Sequence, residues 1–170
     1  MNLNNSKFIS NIEKVTLESY LWRPSVLSTL TSSIKHLNIH LSDPSKFLSD
    51  LIQSKPQLLS LTIQCLNGKF SFSNDTFKLF PNSLTSIKFV YCDFLKSLLN
   101  ISTPLKIKTL KVVGKIKGIT LLIQKVGSYL EHLELDISSA SDKYKTTESI
   151  ANYCDKIKFL CISFDEGNEL

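Results

Sequence analysis

One spacing recurs along this chain and restricts its folding more than any other feature. Seven times, three large apolar residues stand at positions one, four and six of a hexapeptide, with other residues between them. The copies begin at Ile12 (with Val15 and Leu17), Ile34 (Leu37, Ile39), Leu58 (Leu61, Ile63) and Leu84 (Ile87, Phe89). The remaining three begin at Ile107 (Leu110, Val112), Leu130 (Leu133, Leu135) and Ile157 (Leu160, Ile162). Among the intervening positions only Leu59, Phe159 and Cys161 are apolar. In every copy but the last, the last two apolar residues alternate with polar ones, the period of a strand that buries one face.

Successive copies are offset by 22, 24, 26, 23, 23 and 27 residues. A hexapeptide L-x-x-L-x-L returning at that interval is the strand signature of a leucine-rich repeat. It predicts an α/β leucine-rich-repeat solenoid of about seven repeats, with one strand per repeat in a parallel sheet. Adjacent strands lie about 4.8 Å apart, whereas a helix is roughly 10 Å across. Stacking both kinds of element bends the array, which puts the sheet on the concave face and short helices on the convex face. No single repeat buries its own apolar side, so stability needs at least about three stacked copies.

The segments between strands carry helix signals of uneven strength. Residues 25–33 follow Pro24 as a short helix. Asp43 can cap a helix with Pro44 in its first turn and Phe47, Leu48, Leu51 and Ile52 on one face, stopped by Pro56. The longer insert 67–83 reads as a short strand with Phe70 and Phe72, then one or two helical turns over 74–80 before Pro81. Residues 94–100 supply another short helix before Pro104. Ile119, Leu122, Ile123 and Val126 share a helical face, with Gly127 placed to end the helix in the left-handed conformation. Residues 138–145 read as a loop, after which Thr147 caps a final helix holding Ile150, Ala151 and Tyr153. Residues 1–11 form a short N-terminal segment whose Phe8 and Ile9 can cover the first repeat, and 12–170 is the repeat domain. Neither end carries a polar capping unit, so the chain reads as a fragment of a longer array.

The polar positions on the strands project away from the core and form three rows. One is Thr16, Asn38, Thr62, Lys88, Lys111, Glu134 and Cys161; a second is Lys14, His36, Ser60, Ser86, Thr109, His132 and Phe159. The third is Glu18, His40, Gln64, Val90, Val113, Asp136 and Ser163. Such a face is either merely solvated or reads a partner. If it reads one, Lys88, Lys111, Glu134, His36, His132 and Phe159 are the candidate contacts, and Lys111 with Glu134 is a direct cross-strand pair. His36 and His40 share this face, but about 13 Å of strand separates them, too far for one metal ion. There is no nucleophile elbow, phosphate-cradling glycine loop or HExxH, so no catalytic residue, cofactor or metal ligand is expected.

The net charge of +5 comes from 20 Lys and Arg against 15 Asp and Glu, without a dense basic run. Polyanion binding would rest on Lys88, Lys108 and Lys111, but the face has no interleaved aromatics and holds a block of acids, which disfavours nucleic acid. No apolar run is long enough to span a membrane, and the first residues lack a signal-peptide pattern. The expected setting is therefore cytoplasmic or nuclear, which makes the sequons at Asn4, Asn74 and Asn100 incidental. It also makes Cys65, Cys92, Cys154 and Cys161 reduced, buried thiols, with a disulfide or zinc site the lesser alternative.

The segment from Asn152 to Ile162, Asn-Tyr-Cys-Asp-Lys-Ile-Lys-Phe-Leu-Cys-Ile, resembles the cysteine-containing repeats of F-box leucine-rich-repeat proteins, including the expanded sets of some fungi. There a helix ends in Cys and the L-x-x-L-x-L strand begins three residues later, as Cys154 precedes Ile157. Residues 83–89 and 126–135 have the same character; the place of Cys154 is taken elsewhere by Ile9, Thr31, Lys55, Pro81, Pro104 and Gly127. The resemblance implies a protein-interaction module, the substrate-recognition repeats of a Skp1–cullin–F-box ubiquitin ligase adaptor. Its partners would be a ubiquitination substrate and, given an F-box outside this chain, Skp1. A free-standing cytosolic binding scaffold with no ubiquitin link is the other reading.

Overall fold

The computed structural model describes residues 12–18, 33–41, 52–65, 80–92, 105–114, 118–137 and 143–164. Each apolar hexapeptide supplies a strand. These are β1 (Lys14–Glu18), β2 (His36–Leu41), β3 (Ser60–Cys65), β4 (Ser86–Val90), β5 (Thr109–Val113), β6 (His132–Ile137) and β7 (Phe159–Phe164). They form one sheet in chain order, every neighbouring pair parallel. Two α-helices lie wholly among the described residues, α1 (Ile119–Val126) and α2 (Lys143–Tyr153), and Ile52 and Gln53 are also helical. The protein is therefore α/β, built on a seven-stranded parallel sheet.

The register follows the spacing residue for residue. Val15, Leu37, Leu61, Ile87, Leu110, Leu133 and Leu160 stand side by side as successive partners, and the three outward rows align in the same way. A one-residue slip in any strand would turn its apolar pair to solvent, so burial of one face fixes the pairing. Hydrogen bonding repeats as strictly. At all six strand junctions the carbonyl of the second hexapeptide position (Glu13, Lys35, Leu59, Thr85, Lys108, Glu131) accepts two successive N–H groups of the next repeat. One such junction is Glu13 O with Lys35 N at 2.8 Å and His36 N at 2.9 Å. Two donors on one carbonyl use both of its lone pairs and start every strand at the same height.

Of the repeated apolar positions, all are buried except Ile12, Val15, Ile157, Leu160 and Ile162. Those five belong to the first and last hexapeptides, which supply β1 and β7. An inner strand is flanked by side chains from two rungs; an outer one has a described neighbour on one side only. The core is thus continuous through β2–β6 and thins at both margins.

Helix α1 buries Ile119, Leu122, Ile123 and Val126 in the same apolar cluster as the strands' inward residues. Its N-terminus follows Gly118 in the left-handed region (φ 85°), and Lys125 sits in its last turn, where a cation complements the helix dipole. Three expectations for these helices fail. Gly127 is right-handed, at φ −53° and ψ −42°, and leads into a 3-10 turn over Gly127–Tyr129. Helix α2 begins at Lys143, inside the stretch read as a loop, so Thr147 lies within it. The Thr147 hydroxyl donates to the Lys143 carbonyl one turn back instead of capping. Helix α2 does hold Ile150, Ala151 and Tyr153, as expected, and its buried residues are Thr146, Ser149 and Ile150.

The segment 1–11, the helices expected over 25–33 and 94–100, nearly all of that expected over 43–52, and most of the 67–83 insert lie outside the described residues. Within them, Ile52 is buried and Lys55 is withdrawn from water, which pulls its ammonium pKa below the ordinary lysine value.

Candidate partner-binding groove

The outward face of the sheet has relief because its side chains differ in size. In the row that begins every strand, Ser60, Ser86 and Thr109 are small, while His36 precedes them and His132 and Phe159 follow. The next row places Thr62, Lys88, Lys111 and Glu134 alongside. A depression of about 360 Å³ results, lined by residues of both rows from β3 to β7. Its floor carries the hydroxyl side chains of Ser60, Ser86 and Thr109.

Five of the six contact candidates meet here: Lys88, Lys111, His132, Glu134 and Phe159 all line the depression. His36 does not, although it is exposed on the same face and is the β2 partner of Ser60. The Lys111 ammonium is hydrogen-bonded to the Glu134 carboxylate, as their cross-strand register demands. Lys88, between Thr62 and Lys111, forms no ion pair with another described residue. Two charges in the groove thus neutralise each other and one stays available. At the β7 end, the His132 and Phe159 rings stack with centroids 6.2 Å apart and planes inclined by 28°. Phe159 is 52% exposed, an apolar step at the groove margin.

A second charged constellation lies just before the strands. The Glu131 carboxylate receives Lys158 at 2.6 Å and Lys108 at 3.1 Å, so one acid on β6's approach bridges the repeats on both sides. The hydrogen bonds from Lys158 and then Lys108 pull its pKa down to about 2. Glu131 therefore stays ionised near neutral pH and has no proton to donate there. At the other margin Glu13 pairs with Lys35 at 2.5 Å, and its pKa is lowered chiefly by that hydrogen bond. Among the described residues no group of three His, Cys, Asp or Glu side chains is placed to hold a metal ion.

The cysteines divide into two classes. Cys65 and Cys92 are buried, but Cys154 and Cys161 are only partly covered, so the expectation of four buried thiols holds for two. Burial, followed by the neighbouring Asp155 charge, pushes the Cys154 thiol up to about 11. Sequence reasoning missed two features. The run of small residues at Ser60, Ser86 and Thr109 is visible in the alignment of repeats and marks the floor. The meeting of Cys65 with Cys92 had no signal in local spacing.

No protein-family model matches the chain, and no solved structure matches it. It is 28% identical over 168 residues to the lacticin 481/lactococcin biosynthesis protein LcnDR2 of Lactococcus lactis subsp. lactis. That alignment takes in 95% of this chain and 17% of the relative, so the chain spans about a sixth of that protein's length. Among the described residues no helix is long and apolar enough to cross a membrane.

Proposed function

We propose that the chain is a leucine-rich-repeat solenoid whose outward strand face is a protein-interaction surface, the substrate-recognition repeats of an F-box-type ubiquitin ligase adaptor. Strands in the concave layer and short helices on the convex side are the arrangement this reading requires. The supporting observation is the groove. Repeat register gathers Lys88, Lys111, Glu134, His132 and Phe159 around a floor of serine and threonine. Such a surface favours an extended polypeptide segment. Main-chain amides meet the hydroxyls, an acidic side chain meets Lys88, and an apolar side chain rests on Phe159. The adaptor role draws its support from the Cys154 repeat alone, and the LcnDR2 likeness covers too little of that protein to bring a biosynthetic role here.

The test is affinity purification of the full-length protein from its own cells, comparing the wild type with a Lys88→Glu/Phe159→Ala variant and a Lys145→Glu control on α2. Proteins retained by wild type and control but lost from the groove variant support the interaction face; an unchanged set of partners removes it. Skp1 in the purified material, with clients that accumulate under proteasome inhibition, supports the adaptor role. Stable clients without Skp1 leave the free-standing scaffold instead.

A further inference from the structure

The end of β3 and the segment after β4 bring two thiols together inside the core. Cys65 closes β3; Cys92 lies two residues past the end of β4, after Tyr91 has turned the chain through the left-handed region at φ 57°. In strict register Cys65 would face Tyr91, because Gln64 pairs with Val90. The turn at Tyr91 instead sends its ring outward, against Gly114, and carries Cys92 inward. The two Sγ atoms are 2.7 Å apart, and the residues are 2% and 1% exposed. The Cys92 thiol also contacts the Val90 and Ile63 carbonyls at 3.4 and 3.6 Å.

We propose that Cys65 and Cys92 are an oxidisable dithiol, which peroxide converts into a disulfide tying β3 to β4. A disulfide spans about 2.05 Å between sulfurs, so bonding needs an approach of about 0.7 Å from the present contact. In the first step one thiolate attacks a peroxide oxygen, the O–O bond breaks, and a sulfenic acid forms with release of water once the leaving oxygen is protonated. In the second the other sulfur displaces the hydroxyl group, the S–S bond forms and a second water leaves. Two thiols are oxidised by two electrons and one peroxide is reduced. Burial, and then the hydrogen bond with Cys65, hold the proton on Cys92. The pair therefore oxidises slowly, through local opening at the strand ends. The bond locks two neighbouring strands that carry Thr62 and Lys88, and so stiffens one wall of the groove.

The experiment treats the folded full chain with hydrogen peroxide, then denatures it, alkylates free thiols and maps the peptides. It is run on the wild type and on a Cys154→Ser/Cys161→Ser variant, whose changes fall on partly exposed positions. The expected result in both is an intramolecular Cys65–Cys92 cross-link, reversed by dithiothreitol, with an intact mass lower by about 2 Da. Closing that loop raises Tm by about 5–10 °C in the oxidised form. Cys65 and Cys92 both remaining alkylatable, their over-oxidation without a cross-link, or bridges between chains would overturn the proposal. If the double variant does not fold, the wild-type peptide map decides alone.

Discussion

The backbone of Gly127 lies so close to Tyr153 that a β-carbon built on it would stand 2.6 Å from the Tyr153 carbonyl oxygen. The end of α2 therefore rests on the end of α1 at a point where only hydrogen fits. Backbone conformation does not require glycine here, since φ is −53°.

That separates two opposite expectations for Gly127→Ala. Helix propensity alone would make alanine more stable by about 1 kcal/mol. Crowding against a carbonyl held in α2 reverses the sign, and destabilisation of about 1–3 kcal/mol is expected. Urea unfolding of the two proteins decides it; a more stable alanine variant would show that α1 and α2 part easily.

Thr146 offers the converse case. Its hydroxyl is fully buried on the inner face of α2 and has no hydrogen-bond partner among the described residues. An unsatisfied buried hydroxyl costs about 1–3 kcal/mol. Valine keeps the branched shape and removes the polar atom, so Thr146→Val is expected to raise the unfolding free energy by about 1 kcal/mol. A loss of similar size in chemical denaturation would mean that the oxygen is used.

These helix details were the part of the fold least legible in the sequence. The strands declared themselves because three apolar residues at fixed spacing leave one register that buries them all, and Leu61, Ile87, Leu110 and Leu133 took it. Three rows of outward residues then followed by alternation, and five of the six candidate contacts, which fall in two of those rows, converge on one groove. Thr147 was ambiguous because its hydroxyl serves equally as a cap or as a donor to Lys143 one turn earlier. The reason for Gly127 is tertiary: the approach of Tyr153 leaves no mark in the sequence near position 127. Cys65 and Cys92 meet only through the turn at Tyr91, which adds one residue to the register that the apolar pattern defines.

The lysine clamp on Glu131 predicts a pH dependence with a definite sign. The folded-state pKa is depressed from the ordinary 4.5 to about 2, so the unfolded chain binds this proton first. The stabilisation is fully present above about pH 4.5 and is lost as pH falls from there toward 2. Glu131→Gln removes the charge at every pH. The difference in urea midpoint between wild type and Glu131→Gln should therefore shrink steadily across that window, and shrink at neutral pH on adding salt, because the carboxylate and both lysines face solvent. A difference that stays constant down to pH 2 would show that the clamp does not form in solution.

Leu133 and Leu160 occupy the same place in adjacent copies of the hexapeptide and are register partners across β6 and β7. Sequence treats them alike, but burial does not: Leu133 is wholly enclosed and Leu160 is 46% exposed. Truncating Leu133 leaves a cavity inside the continuous apolar cluster, for which about 2–5 kcal/mol is expected. Leu160→Ala removes side-chain atoms that already meet water, so about 1 kcal/mol or less should be lost. The ratio matters more than either value. It measures how far the apolar core has thinned by the last described strand. Comparable losses in equilibrium unfolding of the two variants would mean that Leu160 is covered in solution, and that the core continues beyond β7.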